Sequence, residues 1–293
     1  MLRHCLLAGA VLAVSLPTLP AFAQSDVQAR TTATQSSAEA VVDRMWQVLR
    51  LDEMMPILRD EALVQADEMA ATMFERGGLG GWNEAIGRIH RPERLSALLR
   101  DAMLRGLEGR DPSEIAGALG FYESPLGQRF VALETSARLA LLEDGAEDDA
   151  KAALARAVAR DAPRMAQIRR LLDEADLVEP NVAGALNAAY AFSRGFSDGG
   201  GYPMPMSDAQ LLEDVIAQEP SMRADTIEWL SAYLLFAYSP LSDEELDRYI
   251  EWASSDEGQT LSALMFSAFD TMFVEAARDM GLAAALQLEG RSL

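Results

Sequence analysis

The chain has 293 residues, of which 49% are hydrophobic and 24% charged, and its formal net charge is -21. A hydrophobic fraction of this size supports a large core and excludes global disorder. An acidic surface repels nucleic acid and anionic lipid, so we predict neither as a partner.

The first 23 residues have the composition of a secretory signal peptide. Arg3 supplies the positive start, residues 6–16 form an uncharged apolar run, and small residues flank a cut after Ala23. The run is too short to span a membrane, and so is the apolar stretch at 229–238. We therefore expect a soluble chain, exported to the periplasm, with no membrane span once the signal is removed.

Removal of this signal peptide would remove the one cysteine and one of the two histidines of the chain. Cys5, the single cysteine, and His4 lie within it, so His90 would be the remaining histidine. Zinc sites are built from Cys and His, and a nucleophile needs a base beside it. We therefore predict no metal, no cofactor and no catalytic residue. We interpret His90, which precedes Arg91 and Pro92, as a solvated or capping residue.

Helical signals follow one another along the rest of the chain, and no stretch alternates apolar and polar residues as a strand does. After a flexible leader at 24–35, Ser36 and Glu39 form a capping box. Asp111 is placed to cap a later helix that begins with Pro. The acidic run at 143–149 is either a connector or the first turn of the next helix. We predict an all-α protein.

One part of the sequence repeats. The stretch that begins at Asp111 aligns without a gap onto the stretch that begins at Ser242, an offset of 131 positions. Each stretch holds a Ser, a Gly three residues later and a Gln directly after it. These residues are Ser124, Gly127 and Gln128 in the first stretch and Ser255, Gly258 and Gln259 in the second. The pattern predicts an internal duplication.

The duplication predicts two helical repeat units, at 36–143 and 165–279. An acidic connector and linking helix at 144–164 would join them, and a C-terminal helix and tail at 280–293 would follow. The sequence leaves open whether the two units pack as one body.

The repeated Ser predicts the same helix start in each unit. Its side chain caps the helix, and Pro125 in the first unit or Asp256 in the second suits the first helical position. A Gly at the third position costs up to about 1 kcal/mol of helix propensity. We therefore expect the preceding helix to approach closely, which makes a structural corner. The alternative is an anion site at the helix start, with Arg129 as a ligand.

The corner carries a resemblance to a known family. The segment FYESPLGQRF at 121–130 resembles the hallmark of the domain-of-unknown-function family 2059. The resemblance is close over 90–140 and degenerate over 221–271, where Pro and Arg are replaced. It implies an exported bacterial helical domain without an assigned activity, and it supplies no catalytic residues to transfer.

Aromatic residues crowd the second unit, and most are expected in the core. The alternative is a groove for a protein or peptide partner in the envelope, with Trp229, Tyr233 and Trp252 as binding candidates. We therefore expect a non-enzymatic binding or envelope-maintenance protein.

The alternative function is a carboxylate-dependent periplasmic hydrolase. Such an enzyme needs two acids that face the same concave site. The candidate acids lie on one predicted helix and are Glu244, Glu245, Asp247 and Glu251.

Overall fold

The computed structural model describes residues 37–74 and 79–290, and every regular element in these ranges is an α-helix. The predicted all-α class is therefore confirmed. The predicted signal peptide, the leader and Ser36 of the capping box lie outside the described residues. No helix in the described ranges is both long and apolar enough to cross a membrane.

Fourteen helices follow one another in the described ranges. The first seven are α1 (37–48), α2 (Leu51–Met73), α3 (Leu79–Ile89), α4 (Pro92–Gly106), α5 (Pro112–Ala118), α6 (Gly120–Glu123) and α7 (Pro125–Leu141). The next seven are α8 (Ala146–Ala159), α9 (Pro163–Glu174), α10 (Val178–Asp198), α11 (Asp208–Ile216), α12 (Glu219–Ala237), α13 (Asp243–Ala253) and α14 (Asp256–Leu288).

Local signals account for several helix starts. The Asp111 side chain accepts a hydrogen bond of 2.9 Å from the Ser113 backbone N–H at the start of α5. Complete capping boxes open α11 at Ser207 and α13 at Ser242. The acidic run supplies the first turn of α8, where negative side chains complement the positive end of the helix dipole.

The helices do not break at two of the predicted unit boundaries. The boundary between 164 and 165 lies inside α9, and the boundary between 279 and 280 lies inside the 33-residue helix α14. α14 buries Ala277 before the second boundary and Met280 after it, and α9 buries Met165 directly after the first. The predicted C-terminal helix is therefore the end of α14.

The first core cluster combines helices from both ends of the chain. α1, α2, α4 and α5 contribute most of its buried side chains, and the first half of α14 completes it. The residues that α14 supplies are Leu261, Leu264, Ala268 and Met272. Their burial shows that α14 packs against the helices of the first half of the chain.

The second core cluster is built mainly by helices of the second half of the chain and is completed by a helix of the first half. α8, α9, α12 and α13 contribute most of its buried side chains, and α7 supplies Phe130 and Ala137. Phe130 is offset from Leu261 by 131 positions, and Ala137 is offset from Ala268 by the same number. α7 and α14 therefore each complete the core that the other half of the chain builds.

The second half of α14 packs closely along α10. A Cβ on Gly195 would lie 1.9 Å from the backbone oxygen of Arg278, and one on Gly281 would lie 2.0 Å from that of Phe192. Only glycine permits this separation of the two helices. The contact fixes the second half of α14, while its first half reaches the first core cluster.

Candidate functional site

Both predicted corners contain the same set of hydrogen bonds. Ser124 Oγ accepts from the Gly127 N–H at 3.1 Å and donates to the Phe121 carbonyl at 2.6 Å. Ser255 Oγ accepts from the Gly258 N–H at 3.1 Å and donates to a carbonyl at 2.6 Å, that of Trp252. Each Ser therefore caps the helix that follows and holds the end of the helix that precedes.

The glycine of each corner stands against the preceding backbone. A Cβ on Gly127 would lie 2.2 Å from the Phe121 carbonyl oxygen, and one on Gly258 would lie 2.2 Å from that of Trp252. The neighbouring glutamines reach back to the same helix ends. Gln128 Nε2 donates to the Tyr122 carbonyl at 2.7 Å, and Gln259 Nε2 donates to that of Ala253 at 3.0 Å. Pro125 occupies the first helical position of α7.

The two corners face each other. The rings of Phe121 and Trp252 stack with centroids 4.6 Å apart, at an angle of 15°. Arg129, the residue considered for an anion site, pairs with Glu245 and donates to the Pro240 carbonyl at 2.8 Å. Its guanidinium is therefore used to hold α7 against α13.

A cavity of about 300 Å³ lies behind the corners, between α2, α7, α12, α13 and α14. Most of its lining is aliphatic or aromatic, including Leu58, Leu261, Phe269 and Phe273. Its volume is at the lower end of the range for small-molecule sites. The cavity is therefore large enough for a small organic ligand.

Two of the three aromatic residues that the sequence suggested for binding line this cavity. Tyr233 and Trp252 line it, and Trp229 stacks on Tyr233 with ring centroids 5.0 Å apart. Tyr122 and Tyr249 also line it, and their hydroxyl oxygens are 3.4 Å apart. Aromatic side chains of both halves of the chain therefore converge on one site.

Glu134 brings a carboxylate into the cavity wall. Its Oε1 accepts from the Tyr238 hydroxyl at 2.5 Å, and its backbone carbonyl accepts from the Tyr233 hydroxyl at 3.2 Å. Burial raises the pKa of Glu134, and the hydrogen bond from Tyr238 and the charge of Arg138 oppose this shift. The desolvation of this carboxylate therefore outweighs the stabilisation that its neighbours provide.

Arg138 lies one turn after Glu134 on α7. Its Nη1 donates to both carboxylate oxygens of Glu61, each at 3.0 Å. Burial alone would lower the pKa of Arg138, but the interactions with Glu61 first, and with Tyr233 and Glu134 after it, outweigh burial and the pKa is raised. The Arg138 side chain is 20% exposed and that of Glu61 is 30% exposed. Because Glu61 does not line the cavity, the pair stands where the cavity wall meets the surface.

The tyrosines around Glu134 are neutral hydrogen-bonding groups. Burial raises the pKa values of Tyr122, Tyr233, Tyr238 and Tyr249, and the charge of Glu134 raises each of them further. None of these phenols therefore ionises near neutral pH. Tyr122, Tyr233 and Tyr249 line the cavity, where they offer polar hydroxyl groups and ring faces to a ligand but no negative charge.

The acids considered for hydrolysis lie elsewhere. Glu245 belongs to the capping box of α13 and pairs with Arg129, and Asp247 Oδ1 accepts from Arg170 at 2.9 Å. Glu244 and Glu251 are exposed. Among the described residues that line the cavity, Glu134 is the one carboxylate.

Of the two possibilities predicted for His90, solvated or capping, the solvated one is wrong, whereas the contact with a carbonyl in the last turn of α3 agrees with the capping one. The side chain is buried, with 5% of its surface exposed, and its Nδ1 lies 3.2 Å from the Ile86 carbonyl. Burial lowers the pKa of His90 to about 4, with a further contribution from the charge of Arg94. Ile86 and Ile89 of α3 lie in the core. His90 follows α3 directly and is buried with it.

Sequence reasoning did not select Tyr122, Glu134 or Arg138. One available signal was the offset of 131, which places Glu134 and Arg138 opposite Met265 and Phe269. A charged pair on a helix face that is apolar in the aligned stretch points to a polar site. Burial of that face could be known only from the packing of α7.

Residues 111–155 match the model of a family described as "Uncharacterized protein conserved in bacteria (DUF2059)". No curated protein and no solved structure matches the chain. The match includes the corner at Ser124 and confirms the resemblance that the sequence FYESPLGQRF predicted. The matched segment extends from α5 into α8.

Proposed function

We propose that the protein is a non-enzymatic binding protein of the bacterial envelope that takes a small apolar molecule into the cavity between its helices. The single observation that carries this proposal is the cavity of about 300 Å³ and its aliphatic and aromatic lining. Small-molecule sites are concave, mostly apolar, and supplied with a few polar groups that fix the ligand. Glu134 and Arg138 are such groups.

The periplasmic location of this function rests on the first 23 residues of the sequence. If they are a signal peptide, the exported chain begins at Gln24. N-terminal sequencing of the chain from the periplasmic fraction of the native host tests this. A chain that keeps Met1 and stays in the cytoplasm would refute export.

A binding role is better supported than hydrolysis. Glycoside hydrolysis by paired acids requires two carboxyl groups about 5 to 10 Å apart around the scissile bond. The described lining of the cavity supplies Glu134 as its one carboxylate. The acids of α13 are exposed or engaged in capping and ion pairs, as described above.

We also propose that the chain is a duplicated unit whose last helices, α7 and α14, have been exchanged between the copies. The first two helices of each proposed copy are joined in the same way, by a residue with a left-handed backbone conformation. This residue is Arg50 (φ 53°) between α1 and α2, and Asp176 (φ 47°) between α9 and α10. Gln128 donates to the Val48 carbonyl before the first junction, and Gln259 donates to that of Glu174 before the second. The cavity then lies between the copies.

The binding of a neutral apolar dye tests the proposed function. We expect N-phenyl-1-naphthylamine to bind with a rise in fluorescence, and the substitution Ser262→Phe to abolish the signal because it fills the cavity. Ala263→Phe on the exposed face of the same helix is the matched control and should bind like the parent. Equal binding by both variants, or no binding by the parent, would refute a ligand site in this cavity.

A further inference from the structure

The walls that α7 and α14 contribute to the cavity differ in polarity. α7 lines it with Val131, Glu134, Thr135 and Arg138, and α14 lines it with Ser262, Met265, Phe266 and Phe269. Each residue of the second set is offset by 131 positions from a residue of the first. Because both helices start at an equivalent Ser, equal offsets place these residues on the same helix face. The face is largely polar on α7 and largely apolar on α14.

The charges on the polar wall do not balance. Arg138 is paired with Glu61 at 3.0 Å, so these two groups neutralise each other. Glu134 accepts from the uncharged Tyr238 hydroxyl, and no cationic side chain among the described residues forms an ion pair with it. Arg138 is the nearby positive charge for Glu134 as well, so two carboxylates share one guanidinium, and a bound cation would balance the excess negative charge at this partly desolvated site.

The aromatic residues beside Glu134 are suited to a cation as well. Tyr122, Tyr249 and Trp252 form one cluster, with Tyr122 and Trp252 4.9 Å apart and Tyr249 and Trp252 6.0 Å apart between ring centroids. Aromatic faces attract organic cations through the quadrupole of the ring. An anion in the cavity would meet the Glu134 carboxylate and an Arg138 that is already paired with Glu61, in a chain with a net charge of -21. The charge distribution therefore favours a cationic ligand.

Resting on the proposed function, we infer that the ligand is an organic ammonium ion with an apolar body. Its cationic head lies against Glu134 and the rings of Tyr122, Tyr249 and Trp252. Its apolar body lies along Met265, Phe266 and the aliphatic residues of α2.

Three probes of similar length and different charge test this class by isothermal titration calorimetry on the whole chain. They are octyltrimethylammonium, 1-octanol and octanoate. We expect the ammonium ion to bind about tenfold tighter than the alcohol, and the carboxylate to bind most weakly. If octanoate or octanol binds as tightly as the ammonium ion, the inference of a cationic ligand is overturned. Binding of either probe would still support a ligand site in the cavity.

A charge-removing variant locates the head group. Glu134→Gln keeps an oxygen that accepts from Tyr238 and removes the negative charge, so ammonium affinity should fall to that of octanol. Glu251→Gln, which removes an exposed acid outside this cavity lining, should keep the preference of the parent. Unchanged ammonium affinity in folded Glu134→Gln would overturn the assignment. If that variant does not fold, the ranking of the three probes on the parent still decides the class.

Discussion

Phe121 and Trp252 occupy equivalent places at the two corners, 131 positions apart, and their rings stack on each other with centroids 4.6 Å apart. Trp252 also packs against both of the two larger core clusters. The stacked pair therefore lies where the first and second halves of the chain meet, next to the cavity that Trp252 lines.

This stacking should couple the two residues energetically. We expect Phe121→Ala and Trp252→Ala each to lower the free energy of unfolding, because each leaves a gap in a packed aromatic cluster. The double variant should lose less than the sum of the two, by about 0.5–1.5 kcal/mol. Urea denaturation of the four proteins measures the coupling, and strict additivity would show that the stacked geometry contributes nothing.

The corner glycines should not tolerate even a methyl group. Gly127→Ala and Gly258→Ala each place a Cβ 2.2 Å from a backbone oxygen, so each should cost about 1–3 kcal/mol through overpacking. Gly117→Ala in α5 is the matched control, because a Cβ there meets nothing within 4 Å. That change should be neutral or should stabilise, by up to about 1 kcal/mol of helix propensity. Thermal unfolding measures all three, and a melting temperature for Gly127→Ala at or above that of the parent would contradict the close-packed corner.

Neither half of the chain should form its own core. Cutting between 143 and 144 separates α14 from the first core cluster and α7 from the second. We expect each fragment alone to expose apolar surface and to aggregate or self-associate, whereas the two fragments refolded together should form a one-to-one complex. Size-exclusion chromatography and calorimetry distinguish these states. Two monomeric fragments with separate cooperative transitions would contradict the exchange of α7 and α14.

Asp270 should make stability depend on pH. It accepts from Asn187 at 3.2 Å, and burial raises its pKa from 3.8 to about 7 against the effect of that hydrogen bond. Between these values the folded chain holds a proton that the unfolded chain has released, so this contribution to stability is present below about pH 4 and is lost as pH rises to about 7. Asp270→Asn should therefore be more stable than the parent above pH 7, with a shallower decline between pH 4 and 7.

The control for Asp270→Asn is a second aspartate that accepts a hydrogen bond from an asparagine side chain. Asp67, at the surface, accepts from Asn83 at 3.0 Å. Asp67→Asn makes the same chemical change at an exposed position and is the reference against which the change in slope for Asp270→Asn is judged. Urea midpoints at half-unit pH intervals give the profiles, and identical slopes for parent and Asp270→Asn would rule out the contribution of Asp270.

The sequence by itself determined the helices and the hydrogen bonds of their ends. Helix starts at Asp111, Ser124 and Ser255 are specified by residues within one turn, so periodicity and capping patterns are sufficient to find them. The family resemblance rests on the same local pattern. Pattern reasoning missed the burial of His90, because that burial depends on α3 and on the core into which the helix packs.

Only the tertiary structure decided which helices share a core and where a cavity remains. An apolar helix face requires a partner, but its sequence does not say which helix supplies it, so the packing of α14 in the first core cluster and of α7 in the second could not be read from their patterns. The packing of α7 in the second core cluster brings Glu134 to tyrosines about a hundred residues away in sequence, as the 104-residue separation of Glu134 and Tyr238 illustrates. Local structure follows from neighbours along the chain, whereas the site follows from contacts between distant helices.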